Sequence, residues 1–224
     1  MVTNKLHRIQ LVSLLAFVIV SLCSCGESVS GNASSIAESG TATQRMAEKC
    51  FSPIGRLSAN EAELFGSVSA GELQRVRKFL ETGGDIGAKD SLGRTPLFAA
   101  AFCHHEQVTG LLIDRGSSVD VRDSAGMTPL QAAVIAGGQE VAKMLLSKGA
   151  KPDVQNDAGD TALHLAAATG QVSMAELLLE HGADPKRHDM KGMTAAALAS
   201  YNGHPGTASA IRKWPEKQKA AIQK

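Results

Sequence analysis

Residues 90–101 read DSLGRTPLFAAA, and the phrase returns three times. Asp123 opens DSAGMTPLQAAV, Asn156 opens NDAGDTALHLAA and Asp189 opens DMKGMTAAALAS. Gly93, Gly126, Gly159 and Gly192 are each 33 residues apart, as are Thr95, Thr128, Thr161 and Thr194. A second glycine series, Gly83, Gly116, Gly149 and Gly182, keeps the same interval. A third runs Gly71, Gly137, Gly170 and Gly203, with His104 in the missing slot. A fixed period of this length marks stacked supersecondary units.

Each unit has a physical reading. The Asp-x-x-Gly opening is a turn, with the Asp side chain bonding local backbone and Gly supplying a positive φ. Thr95 and Thr128 suit a helix start, and Pro96 and Pro129 suit its first turn, where a missing N–H costs nothing. The alanine-rich stretch that follows makes a slim helix able to pack closely. A second helix carries Leu111-Leu112-Ile113, Met144-Leu145-Leu146 or Leu177-Leu178-Leu179, and Gly116, Gly149 and Gly182 are expected to end it at the C-cap. No such unit can bury its apolar face alone, so neighbours must share one continuous core.

The 33-residue length and the wording resemble the ankyrin repeat, most closely over Asn156–His188, NDAGDTALHLAAATGQVSMAELLLEHGADPKRH. The resemblance covers about residues 58–214 and implies an all-α solenoid of helix-turn-helix units with short hairpin-like turns. About three full repeats are expected, at 90–122, 123–155 and 156–188, between degenerate caps at 61–89 and 189–214. The first cap lacks Thr-Pro-Leu. The last unit replaces Thr-Pro-Leu-His with Thr194-Ala195-Ala196-Ala197 and lacks the leucine triplet; its second helix is expected near Pro205–Trp214. Residues 215–224 read as a polar, frayed tail.

The chain begins differently. Lys5 and Arg8 precede an almost unbroken apolar run from Leu11 to Leu22. A bilayer-spanning helix needs about 20 apolar residues, so the run suits a secretion signal better. Leu22-Cys23-Ser24-Cys25 resembles the bacterial lipobox, which implies removal of residues 1–24 and lipid attachment at Cys25. An ordinary cleaved signal and an uncleaved anchor are the other readings. Gly26 after the cysteine favours the outer membrane by the same resemblance, so the expected location is the bacterial cell envelope, facing the periplasm. Residues 25–44 form the lipidated cysteine and a tether rich in Ser, Gly and Ala, too poor in large apolar residues to offset chain entropy. Residues 45–60 lead into the repeats.

Composition narrows the function. The 224 residues carry a net charge of +1, and only 4% are aromatic. That gives no electrostatic case for nucleic acid. No catalytic motif, phosphate loop or zinc spacing is present, so no enzyme, cofactor, metal or small-molecule substrate is expected. His104 and His105 are adjacent and diverge on a helix. His164, in Thr-x-Leu-His, is by family resemblance a structural post that hydrogen-bonds backbone. Cys50 and Cys103 form a candidate disulfide in an exported chain, with two free thiols as the alternative.

By the same resemblance, partners bind the turn tips and the exposed, concave side of the first helices. The free positions there include Leu92, Arg94, Phe102, Met127, Ile135, Asp157, Asp160, Ala168, Thr169, Met190, Met193 and Tyr201. An apolar stripe among them marks an interaction site, with Arg94, Asp157 and Asp160 adding charge selectivity at its edge. The expected function is a lipid-anchored protein-binding module. It fits an immunity protein that blocks a secreted toxin such as a phospholipase, or alternatively an accessory or chaperone-like factor for a periplasmic enzyme, for example in oxidative-stress defence.

Overall fold

The computed structural model describes residues 57–222, with side chains through residue 215. Among these residues ten helices form five antiparallel pairs: α1 Ala59–Ser69 with α2 Leu73–Glu81, α3 Pro96–Phe102 with α4 Glu106–Asp114, α5 Pro129–Ala136 with α6 Gln139–Ser147, α7 Ala162–Ala168 with α8 Val172–Glu180, and α9 Ala195–Tyr201 with α10 Pro205–Ile222. First helices pack on first helices along the whole series, and α2 packs on α4, α4 on α6 and α8 on α10. The expected solenoid is therefore present, without a strand among the described residues; one isolated antiparallel bridge joins His188 and Thr194.

The phrase that repeats in sequence repeats in hydrogen bonds. Asp90, Asp123, Asn156 and Asp189 each accept two backbone N–H groups through Oδ1, from the residues two and four ahead, at 2.8–3.0 Å. The turn glycine that follows, for example Gly159 at φ 79°, closes the loop in the left-handed region. Thr95, Thr128, Thr161 and Thr194 are the N-caps of the first helices, and Pro96 and Pro129 occupy the first turn. Gly116, Gly149 and Gly182, expected at the C-cap, stand one residue beyond it. Arg115, Lys148 and His181 take that place, and the glycine after each adopts the positive φ.

The shared core follows the slots. Leu97, Leu130 and Leu163 of the first helices and Leu112, Leu145 and Leu178 of the second are at most 1% exposed. Each contributes about 1.5–3 kcal/mol by leaving water. The alanines between them are small enough for first helices to lie side by side; Ala99, Ala100, Ala101, Ala132, Ala133, Ala166 and Ala167 are fully buried.

The ends differ from expectation in two ways. The first cap is a complete helix pair, and α1 starts at Ala59 behind Ser58, which accepts from the Glu61 N–H while the Glu61 carboxylate accepts from the Ser58 N–H. That capping box straddles the expected boundary, with Ser58 in the lead-in and Glu61 at the first residue of the cap. At the other end α10 continues through Pro215 to Ile222, so most of the expected tail is helical. Glu, Lys, Gln and Ala dominate that stretch and favour helix. Ile211 and Trp214 close the end of the core, at 1% and 7% exposure.

Candidate protein-binding flank

The turn tips form a continuous ladder. Ser124 N–H donates to the Leu92 carbonyl at 2.7 Å, Asp157 N–H to Ala125 at 3.0 Å and Met190 N–H to Ala158 at 3.1 Å. Each tip therefore rests on the preceding one, and the side chains at free positions are held in register along one flank.

A second set of links was missed in the sequence. Arg122 donates through Nε to the Gly126 carbonyl of its own tip at 3.1 Å and through Nη2 to the Gln155 carbonyl one unit on at 3.0 Å. Gln155, in the equivalent slot, donates to the Gly159 and His188 carbonyls at 2.8 and 2.9 Å. The signal was available: a long donor side chain immediately precedes the opening residue of the turn in both units. Inside the stack, His164 and Gln131 share another slot. Gln131 Nε2 donates to the Val154 and Asp160 carbonyls, and His164 Nε2 lies 3.1 Å from the Met193 carbonyl. His164 Nδ1 meets the Thr161 N–H and hydroxyl at its own helix start. With Nδ1 accepting, Nε2 carries the proton and donates across the units. The imidazole thus has the geometry of a structural post.

The predicted contact residues fall into three groups. Met190 and Tyr201 are strongly exposed, at 71% and 81%, and Leu92 is open at 36%. Phe102, Met127, Ile135, Ala168, Thr169 and Met193 are half-buried, and Phe102 and Met127 pack against the core. Thr169 is also used internally: its hydroxyl donates to the Leu165 carbonyl and accepts from Gln171. The charged residues divide likewise. Asp157 is exposed, with Arg122 at 3.5 Å. Arg94 is not an open charge, because its guanidinium is paired with the fully buried Asp90 carboxylate and Nε donates to Oδ2 at 2.8 Å. It braces its own turn. Asp160 is half-buried; burial raises its carboxyl above the usual range, and the neighbouring His164 and Asp189 pull in opposite directions. Burial raises Asp123 in the same way.

At the opposite ends of the first helices, His104 fills the glycine slot with φ 59°. Burial lowers its imidazole below the usual range, against a hydrogen bond to the Ala136 backbone. His105 Nε2 lies 2.8 Å from the Ser69 carbonyl. Cys103, the C-cap of α3, is half-buried and disulfide-bonded. Its candidate partner Cys50 and the lipid-attachment candidate Cys25 lie outside the described residues.

Among the described residues no three His, Cys, Asp or Glu side chains are grouped to hold a metal ion, and no helix is long and apolar enough to cross a membrane. The arrangement offers shape, exposed apolar side chains and selected charges to another macromolecule. No curated protein matches the chain. The family model for ankyrin repeats, in three copies, matches residues 64–156 and 148–219. Since these matches cover well over half of its length, the chain belongs to the ankyrin-repeat family.

Proposed function

We propose that this protein-binding module is held at the bacterial envelope by a lipid on Cys25 and grips one protein through the tips and first-helix flank. The binding partner in this reading is a secreted toxin, with a phospholipase as the leading class, and the chain acts as its immunity protein. The observation that carries the binding role is the exposure of Met190 and Tyr201 in a stack whose other large apolar residues are mostly covered. Large apolar side chains held open on a rigid ladder are suited to anchor a partner. The N-terminal apolar run and the Leu-Cys-Ser-Cys motif support the envelope location.

Two measurements test the parts separately. Labelled palmitate should enter the membrane-fraction protein and be lost in Cys25→Ser; undiminished labelling, or a soluble wild type, refutes the anchor. Affinity capture from envelope extract should retain a protein encoded beside this gene, whose lipase activity falls to zero when titrated with the purified chain. Capture of a resident envelope enzyme that keeps or gains activity instead supports the accessory role.

A further inference from the structure

We propose that the last turn tip, residues 184–193, takes an extended acidic segment of the partner protein as the next rung of the tip ladder. Three rungs set the pattern: the N–H groups of Ser124, Asp157 and Met190 donate to the carbonyls of Leu92, Ala125 and Ala158. Lys191 holds the equivalent carbonyl in the last tip, and no described residue donates to it. The turn glycines measure the same space. A Cβ built at Gly93, Gly126 or Gly159 meets the backbone nitrogen of the following tip at 3.5, 3.1 or 2.6 Å, whereas at Gly192 nothing lies within 4 Å. The Asp189 carboxylate holds this turn in shape beforehand, accepting the Lys191 and Met193 N–H groups at 2.8 Å. A preformed edge with an accessible carbonyl is the template for strand addition.

Charge selects what the segment carries. The equivalent windows 85–94, 118–127, 151–160 and 184–193 have net charges of 0, −1, −2 and +1 from their Asp, Lys and Arg residues. The last tip is thus the positive one, with Lys186, Arg187 and Lys191 against Asp184 and Asp189. Lys186 and Arg187 are exposed and form no ion pair with a described residue. Lys191 is exposed as well, and its charge also acts on Asp160 of the preceding tip. Carboxylates in the incoming segment are attracted to this tip, and cations are repelled. Met190, 71% exposed, offers an apolar anchor beside the open carbonyl, so the segment carries a large apolar side chain between its acids. A second copy of this chain fits less well: its own first tip is neutral, and Asp90 there is already paired with Arg94.

The inference rests on the reading of the flank as a protein-binding surface, yet the two fail separately. The probe is a fluorescent peptide with a Val-Leu-Val centre and Asp and Glu at both ends, titrated onto the full chain by anisotropy. Binding with a Kd below about 1 mM is expected, with NMR amide shifts concentrated in residues 184–193. Methylating the peptide's central backbone nitrogens removes the rung donors and should weaken binding at least about 10-fold. Lys186→Glu with Arg187→Glu should weaken it by a similar factor of about 10. Gly192→Ala should block binding by placing a Cβ in the path of the added strand. Gly116→Ala shares its positive φ and open surroundings, carries the same backbone strain, and should bind as the wild type does. No binding at about 1 mM, or binding that Gly192→Ala leaves unchanged, overturns the proposal. So does displacement of the peptide by phosphatidylglycerol vesicles with equal loss of vesicle binding in Gly192→Ala, or by dimerisation of the chain. Toxin capture at wild-type yield by Gly192→Ala overturns the ladder inference and leaves the flank reading standing. Peptide binding with no protein captured from envelope extract removes the immunity reading alone.

Discussion

His164→Ala probes the cross-unit posts at their most buried point. The ring is 1% exposed and joins α7 to the tip of the following unit. Its loss leaves the fully buried Thr161 N–H without its acceptor, about 1–3 kcal/mol, and removes a bond to the Met193 carbonyl worth about 1 kcal/mol. Met193 keeps one partner, the Asp189 N–H, so its carbonyl is not orphaned. With the void left by the ring, a loss of about 3 kcal/mol is expected, against a total stability of about 5–15 kcal/mol. At a urea dependence of about 2 kcal/mol per molar, the midpoint should fall by about 1.5 M. His164→Gln should recover most of this, because Gln131 performs both tasks in the preceding unit: Oε1 accepts from the Thr128 N–H and Nε2 donates to the Asp160 carbonyl. Far-UV circular dichroism follows the whole stack, while fluorescence of the single Trp214 follows the far side of the weakened interface. In the alanine variant the fluorescence transition should come first. The reasoning fails if the glutamine variant loses as much as the alanine variant, or if the alanine shift is under about 0.5 M.

Other perturbations separate backbone, charge and surface. Gly159→Ala places a Cβ 2.6 Å from the Met190 backbone nitrogen, whereas at Gly182, also at positive φ, nothing lies within 4 Å. Both incur about 1 kcal/mol of left-handed strain, and Gly159→Ala should be worse by a further 1–3 kcal/mol or so by denaturant titration. Asp160→Asn should raise the melting temperature at neutral pH by about 2 °C, since burial disfavours the carboxylate and its raised folded pKa makes stability fall as pH rises through it. The gain should vanish below about pH 3.9, where both states are protonated. His104 has the opposite sign: with its folded pKa lowered, its contribution is present above the unfolded value of about 6.5 and is lost as pH falls. His104→Asn, which tolerates the left-handed backbone, should flatten melting temperature against pH between about 5 and 7. Met190→Glu with Tyr201→Ala should change stability by less than about 0.5 kcal/mol, yet weaken capture of the partner by about 30-fold or more. Unchanged capture moves the binding site elsewhere.

The stacking units were legible because their determinants are local. A turn needs Asp and Gly at fixed offsets, a helix start needs Thr before Pro, and a core slot needs Leu at a 33-residue interval. Cross-unit chemistry was harder to read. The backbone carbonyls that receive Arg122 and Gln155 belong to another unit, and sequence spacing carries no sign of which carbonyl lies open. The same blindness misjudged Arg94, which looks like a free tip charge until the buried Asp90 beside it is seen to need a counter-ion. Buried carboxylates are costly unless paired. The capping box at Ser58 and Glu61 was in plain view, yet the boundary after residue 60 cut through it, because the missing Thr-Pro-Leu phrase drew that boundary too late.

The slot shared by Phe98, Gln131, His164 and Ala197 shows how strength is distributed along the rod. Polar posts occupy the third and fourth helix pairs, where the carbonyls of a following tip lie within reach. Phe98 and Ala197, in the second and fifth pairs, can donate nothing there. A solenoid's stability is close to a sum of unit and interface terms, so weaker outer interfaces open first unless something else closes them. At the C-terminal end Ile211 and Trp214 supply that closure by burial. At the N-terminal end the capping box orders α1, and Cys103 provides a covalent attachment point on the next first helix. A disulfide there acts on the unfolded chain as well, by shortening its loops. Reduction should therefore lower the unfolding midpoint reported by amides of α1 and α3 in hydrogen exchange while leaving α7 and α8 near their oxidised values. Uniform loss of protection along the rod would mean that the five helix pairs open as one body, and that the proposed gradient from the polar centre to the closed ends does not exist.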